Sequence, residues 1–85
     1  MFNDKSLQDL NVKIGTKETV RHVEADQAVE VFVALDAEAK LVSKITSLCL
    51  KKGVKLTEVN TMRELGKACG IDVGAAMAAV IQDEA

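Results

Sequence analysis

Apolar residues recur along the chain with two different periods, and the points where the period changes delimit the elements. Leu7 and Leu10 stand three apart, which predicts a short helix from about Asp4 to Leu10. In Asn11-Val12-Lys13-Ile14 the apolar side chains alternate instead, as in a half-buried strand, and Gly15 breaks that strand. Thr16 is a candidate cap for the next helix, which carries Thr16, Thr19, Val20 and Val23 on one side, charged residues on the other, and ends near Ala25-Asp26. Val29 to Leu35 is an apolar run rich in β-formers and predicts a central strand covered on both faces, with Asp36 as the cap that follows it.

The helical period returns from about Ala37 to Lys52. Leu41, Ile45, Leu48 and Cys49 share its inward side, Lys40, Lys44, Lys51 and Lys52 lie outward or at its end, and Gly53 supplies the C-cap. Val54, Leu56 and Val59 suggest another strand, although their spacing is not strictly period two. Thr61-Met62-Arg63-Glu64 forms a capping box that opens a last helix, which stops at Gly70. Ala75 to Ile81 closes the chain as a buried strand whose alanines let helices pack close. Strands alternating with helices predict an α/β layered fold with helices on both faces of the sheet, some strands parallel and the directions mixed.

Composition narrows the class. At 85 residues the chain is sized for one domain, residues 1–85, with one modest core. Its 48% hydrophobic and 28% charged content is that of an ordinary globular protein. The N-terminus lacks an apolar run of signal-peptide length, and the longest apolar stretch, Val73 to Ile81, falls well short of the ~20 residues of a membrane helix. A cytoplasmic address is the default expectation. Cys49 and Cys69 lie inside helical patterns without a CxxC spacing or a neighbouring histidine, so both read as buried small side chains, and no metal site or cofactor is expected.

Catalysis needs convergent titratable groups, and this chain has a single histidine, no tyrosine and no serine-histidine-acid arrangement. It does not read as an enzyme. His22 is most simply a solvated or weakly paired helix residue, and Gly66-Lys67 falls within a helix rather than before one, unlike a phosphate loop. A net charge of −2 argues against a non-specific nucleic-acid coat, and aromatics at 2% leave no stacking platform. Any nucleic-acid binding must come from a local site.

Two segments fit such a site. At the start of the second helix Lys17 and Arg21 stand one turn apart, where cations oppose the helix dipole but, with the free backbone N–H groups, suit an anion. Glu18 beside them is an acceptor for base amino groups, or else simply an ion-pair partner of Arg21 or His22. The second segment, Gly70-Ile71-Asp72-Val73-Gly74, is a short connection with two β-branched apolar residues framed by glycines; they form a surface patch or fold inward.

Ile14-Gly15-Thr16-Lys17-Glu18-Thr19-Val20-Arg21 and Leu65-Gly66-Lys67-Ala68-Cys69-Gly70-Ile71-Asp72-Val73-Gly74-Ala75-Ala76 together resemble the L7Ae family of ribosomal and ribonucleoprotein proteins, most closely its small bacterial branch. The likeness covers nearly the whole chain. It implies a three-layer α/β/α sandwich around a four-stranded mixed sheet, and recognition of the kink-turn, in which a bulge followed by tandem sheared G·A pairs bends an RNA duplex. In that family an Asn-Glu pair at the helix start and a Lys or Arg one turn later read the sheared guanines. Glu18 and Arg21 match that pattern, while Lys17 stands where many members have asparagine. An ammonium only donates, so Lys17 favours guanine O6/N7 or phosphate.

The loop Ile71-Asp72-Val73-Gly74 matches the family's specificity loop, which covers the bulged nucleotides, and Gly74 stands where other members have proline. The resemblance thus implies an RNA site made of Gly15, Thr16, Lys17, Glu18 and Arg21 with Ile71, Asp72, Val73 and Gly74. Its partner would be a kink-turn in ribosomal RNA, within the ribosome or outside it, in a riboswitch or in another structured RNA, bound by a cytoplasmic monomer without contact to a membrane. The alternative is a protein-interaction module that uses the Ile71/Val73 patch and binds no RNA.

Overall fold

A computed structural model of the chain describes residues 11–81, and the helix expected before Asn11 lies outside them. The described elements run β1 (Val12–Ile14), α1 (Thr16–Glu24), β2 (Ala28–Ala34), α2 (Ala39–Lys52), β3 (Lys55–Val59), α3 (Met62–Cys69) and β4 (Met77–Ile81). The strands form one mixed sheet in the order β1-β4-β2-β3. β4 pairs antiparallel with both β1 and β2, whereas β2 and β3, joined by α2, are parallel. Among the described residues no helix is long and apolar enough to cross a membrane.

Alternation along the strands sends apolar side chains to both faces of the sheet, so both need cover. Phe32, Ala34, Val59 and Val80 meet Leu65 of α3 on one side. Val31, Val33, Met77 and Ala79 meet Val23 of α1 and Ile45 and Cys49 of α2 on the other. This is the α/β/α sandwich expected, and it explains the irregular spacing in β3: Leu56 packs with the α1/α2 core and Val59 with the α3 core. The small side chains of Ala78 and Ala79 are fully buried at the middle of the sheet.

The sequence expectations need correction at several positions. β2 was expected from Val29 with cover on both faces, yet Val29 is 49% exposed. Ala28 pairs with Ile81 and Glu30 with Val80, so β2 takes two steps where β4 takes one, and Val29 is the extra residue of a bulge. Thr16 does not cap α1; it is the first helical residue, behind Gly15, which supplies no capping side chain. His22 is not solvated but 7% exposed, because α1 turns Thr19, His22 and Val23 to the interior.

Asp36 is a cap, but of a different helix. α2 starts behind Glu38 without a side-chain cap, while Asp36 Oδ1 accepts a hydrogen bond of 2.7 Å from the backbone N–H of Met62, at the start of α3. Parallel pairing is the reason. Ala34 stands beside Val59, and the N–H of Leu35 continues the ladder to Val59 O at 2.8 Å, so the chain leaving β2 runs past the first turn of α3. Thr61 Oγ1 accepts from Glu64 N–H at 3.0 Å, as the capping box predicts, so two side chains serve this one helix end.

Replacing Asp36 by alanine is expected to lower unfolding free energy by about 0.5–2 kcal/mol in urea titration, the usual cost of a lost cap. An unchanged midpoint would show that water replaces the carboxylate at no cost.

Candidate nucleic-acid interface

The start of α1 is built on Gly15, whose φ of +111° strains any residue with a side chain. That conformation lets Gly15 N–H donate to Met77 O across the sheet at 3.0 Å while its carbonyl accepts the first helical bond, from Thr19 N–H, at 2.9 Å. By helix geometry the N–H groups of Thr16, Lys17 and Glu18 have no partner within α1, and no capping side chain covers them. Lys17 is exposed beside them.

Glu18 and Arg21 come together. Arg21 Nη2 donates to Glu18 Oε1 at 3.3 Å, and both side chains are open to solvent, so the pair contributes little to stability. Behind them, buried His22 donates from Nδ1 to Glu18 O at 2.8 Å, which requires that nitrogen to carry the proton; the same atom lies 3.7 Å from Glu18 Oε1. The ion pair expected as the simplest role of Glu18 is therefore present, and it holds an acceptor and a forked donor side by side at the helix start.

The loop after α3 lies back across the helix that precedes it. Gly70 ends α3 in the left-handed conformation, Ile71 N–H donates to Gly66 O at 3.0 Å, and Ala75 N–H donates to Met62 O at 3.0 Å. A Cβ on Gly66 would collide with Val73 O, so the absence of a side chain there sets how close the loop lies. At Gly74 an added Cβ would meet Met62 Cβ at 3.2 Å, so the close approach made by this glycine within the protein is to α3.

Ile71 is half-buried and packs on the α3 core, whereas Val73 is 69% exposed and Asp72 and Gly74 are also open. The Ile71/Val73 pair is therefore divided between inside and outside and leaves no broad apolar patch.

Sheet order unites the two segments. The loop enters β4 through Ala76, whose carbonyl accepts from Ala34 N–H at 2.8 Å, and the next residue, Met77, receives the N–H of Gly15. Three peptide steps separate Gly74 from Met77, a span of at most roughly 10 Å. Gly15, Thr16, Lys17, Glu18 and Arg21 thus share one end of the molecule with Ile71, Asp72, Val73 and Gly74.

Sequence reasoning missed Arg63 and Lys67. With Ile71, Asp72, Val73 and Gly74 they line a cleft of about 240 Å³ between α3 and the loop. Their spacing by four was the available signal, obscured because a lysine in the last turn of a helix is unremarked.

Among the described residues no cluster of three or more His, Cys, Asp or Glu side chains is placed to hold a metal ion. Both cysteines are free, Cys49 buried and Cys69 only half-buried, contrary to the expectation that both lie in the core. Burial pushes both thiols up, which keeps them protonated and poorly nucleophilic at neutral pH.

Residues 3–85 match the model of the Ribosomal protein L7Ae/L30e/S12e/Gadd45 family. The chain belongs to this family. A Bacillus pumilus relative named RNA-binding protein is 44% identical over 81 residues, covering 95% of this chain and 99% of the relative. RNA-binding protein YbxF of Geobacillus stearothermophilus is 42% identical over 96% of this chain and its own full length. Large ribosomal subunit protein eL8 of Halobacterium salinarum is 42% identical over 84% of this chain, which spans 60% of that longer protein.

Among solved structures, a Giardia lamblia 15.5kD RNA binding protein superposes with a TM-score of 0.80 at 27% identity over 87% of this chain and 62% of its own. Family membership sets the chain among binding proteins rather than enzymes.

The Gly66 contact gives a direct test of how the loop is held. Gly66→Ala is expected to cost about 1–3 kcal/mol in urea unfolding, the usual range for overpacking, and to move amide resonances of residues 71–75 most. Equal stability with unmoved loop resonances would mean that the loop is not held against α3.

Proposed function

We propose that the whole chain, residues 1–85, acts as one RNA-binding domain that recognises kink-turn RNA and stabilises its bend, working as a cytoplasmic monomer. The observation that carries the reading is the joint at Gly15 and Met77, which sets a helix start bearing Lys17, Glu18 and Arg21 beside the entry of the Ile71–Gly74 loop into the sheet. Relatives named RNA-binding proteins over nearly the whole length support the coarser part of it.

Each side chain has a chemical role in this reading. Glu18, an acceptor only, takes a hydrogen bond from a guanine amino group, and Arg21 offers its fork to guanine O6 and N7 in the widened groove of the sheared pairs. The free N–H groups of Thr16, Lys17 and Glu18 face a backbone phosphate, and the Lys17 ammonium adds charge there. Straight A-form RNA hides its major-groove edges, so these contacts exist only on the bent form.

Val73 covers an unstacked bulged base, with Ile71 supporting the loop from beneath. The protein then shifts the RNA from straight to kinked through its differential affinity for the two forms. A net charge of −2 accords with a local site of this kind rather than a phosphate-neutralising coat.

Gel-shift titration of a kink-turn RNA against the same helices with the G·A pairs replaced by Watson-Crick pairs should show strong preference for the former; equal affinity would sink the kink-turn reading. Glu18→Ala and Arg21→Ala should each weaken kink-turn binding by about 5- to 150-fold, equivalent to roughly 1–3 kcal/mol. Thermal melting of both variants should match that of the parent chain, because the ion pair they break is solvent-exposed.

A further inference from the structure

The loop does not merely end near α3; it lies along one ridge of it. Met62 and Gly66, one turn apart, carry the loop backbone, as the hydrogen bonds to Met62 O and Gly66 O show. The next ridge round the helix is Arg63 and Lys67, also one turn apart and both exposed, and it walls the cleft of about 240 Å³. The opposite wall is the loop itself, through Ile71, Asp72, Val73 and Gly74. The cleft has room for a phosphate group and is open enough to admit a chain passing through.

The charges in the cleft are not spent within the protein. Among the described residues neither Arg63 nor Lys67 has a carboxylate within 4 Å, which they share with Lys13, Lys17, Lys40, Lys44 and Lys51; their place together in a cleft sets them apart. Asp72 is the only carboxylate in the lining, so two cations against one anion leave one net positive charge in a chain whose formal net charge is −2. Arg63 also occupies the first turn of α3, where a cation opposes the helix dipole. No aromatic side chain lines the cleft to stack a base, while a guanidinium fork beside a mobile ammonium suits a phosphate.

We propose that Arg63 and Lys67 bind a backbone phosphate of the RNA strand that crosses the loop, so that the RNA footprint extends from the start of α1, over Val73, to α3. This rests on the RNA-binding reading above and adds to it a contact that sets affinity rather than sequence preference. A phosphate here lies across the loop from the helix start, and the loop is gripped from both sides.

The experiment is a potassium chloride titration of affinity for one kink-turn RNA and for the same helices with the G·A pairs replaced by Watson-Crick pairs, using the full chain. Three proteins are compared: the parent, the Arg63→Gln/Lys67→Gln double variant, and a Lys51→Gln/Lys55→Gln double variant, which removes the same charge at the opposite end of the sheet. The Arg63/Lys67 variant should bind about tenfold more weakly at low salt, by a similar factor on kink-turn and control RNA, with a slope of log affinity against log salt shallower by about 1. The Lys51/Lys55 variant should keep the parental slope.

Matching slopes and affinities for the two double variants would overturn the proposal, and the single Arg63→Gln variant repeats the test should the double variant melt early. A parent chain that binds both RNAs equally, with the slope difference intact, would remove the kink-turn reading and leave this contact standing. A parent that binds neither RNA would end both.

Discussion

The position of β4 between β1 and β2 is the constraint on which the candidate site depends. Its first residue, Met77, accepts the N–H of Gly15, and the residue before it, Ala76, accepts the N–H of Ala34. A helix start and a loop that lie more than fifty residues apart in sequence therefore meet at one sheet end through main-chain bonds alone. The strand is mostly small or slender, so helices close in on both faces, with Leu65 on one side and Ile45 on the other fully buried. Apart from Ile71, which packs on the α3 core, no side chain of the candidate site is needed to hold it together, and Lys17, Arg21 and Val73 stay on the surface.

Much of this was legible in the sequence because it was local. The capping box at Thr61 and Glu64, the left-handed glycines at 53 and 70, and the helical stripe of Ile45 and Cys49 each depend on residues within a turn or two of one another. The resemblance added the RNA partner that composition had only narrowed. What escaped was set by neighbours far away in sequence. Asp36 looked like a cap for the helix behind it, and only the parallel pairing of β2 with β3 brings it to Met62 instead. His22 looked polar and therefore outward, yet a backbone carbonyl one turn back satisfies its ring nitrogen and lets it sit inside. Val29 looked like core until the bulge removed it from the alternation.

The site itself was legible as two segments but not as a surface. Spacing marked Lys17 and Arg21, and composition marked the apolar residues between glycines; neither could say that Ile71 would face in while Val73 faced out. Nor could it say which helix ridge the loop would cover. Gly66 decided that, since any side chain there would collide with Val73 O.

The way the loop is fastened has a consequence for how such a protein diverges. Its two anchors, Ile71 N–H to Gly66 O and Ala75 N–H to Met62 O, are backbone to backbone, and the close contact at Gly66 is also with backbone. The frame is thus indifferent to the identity of the side chains at Asp72 and Val73, which point away from it. Exchange at those two positions leaves both backbone anchors in place, so the loop behaves as a replaceable lettering on a fixed mount.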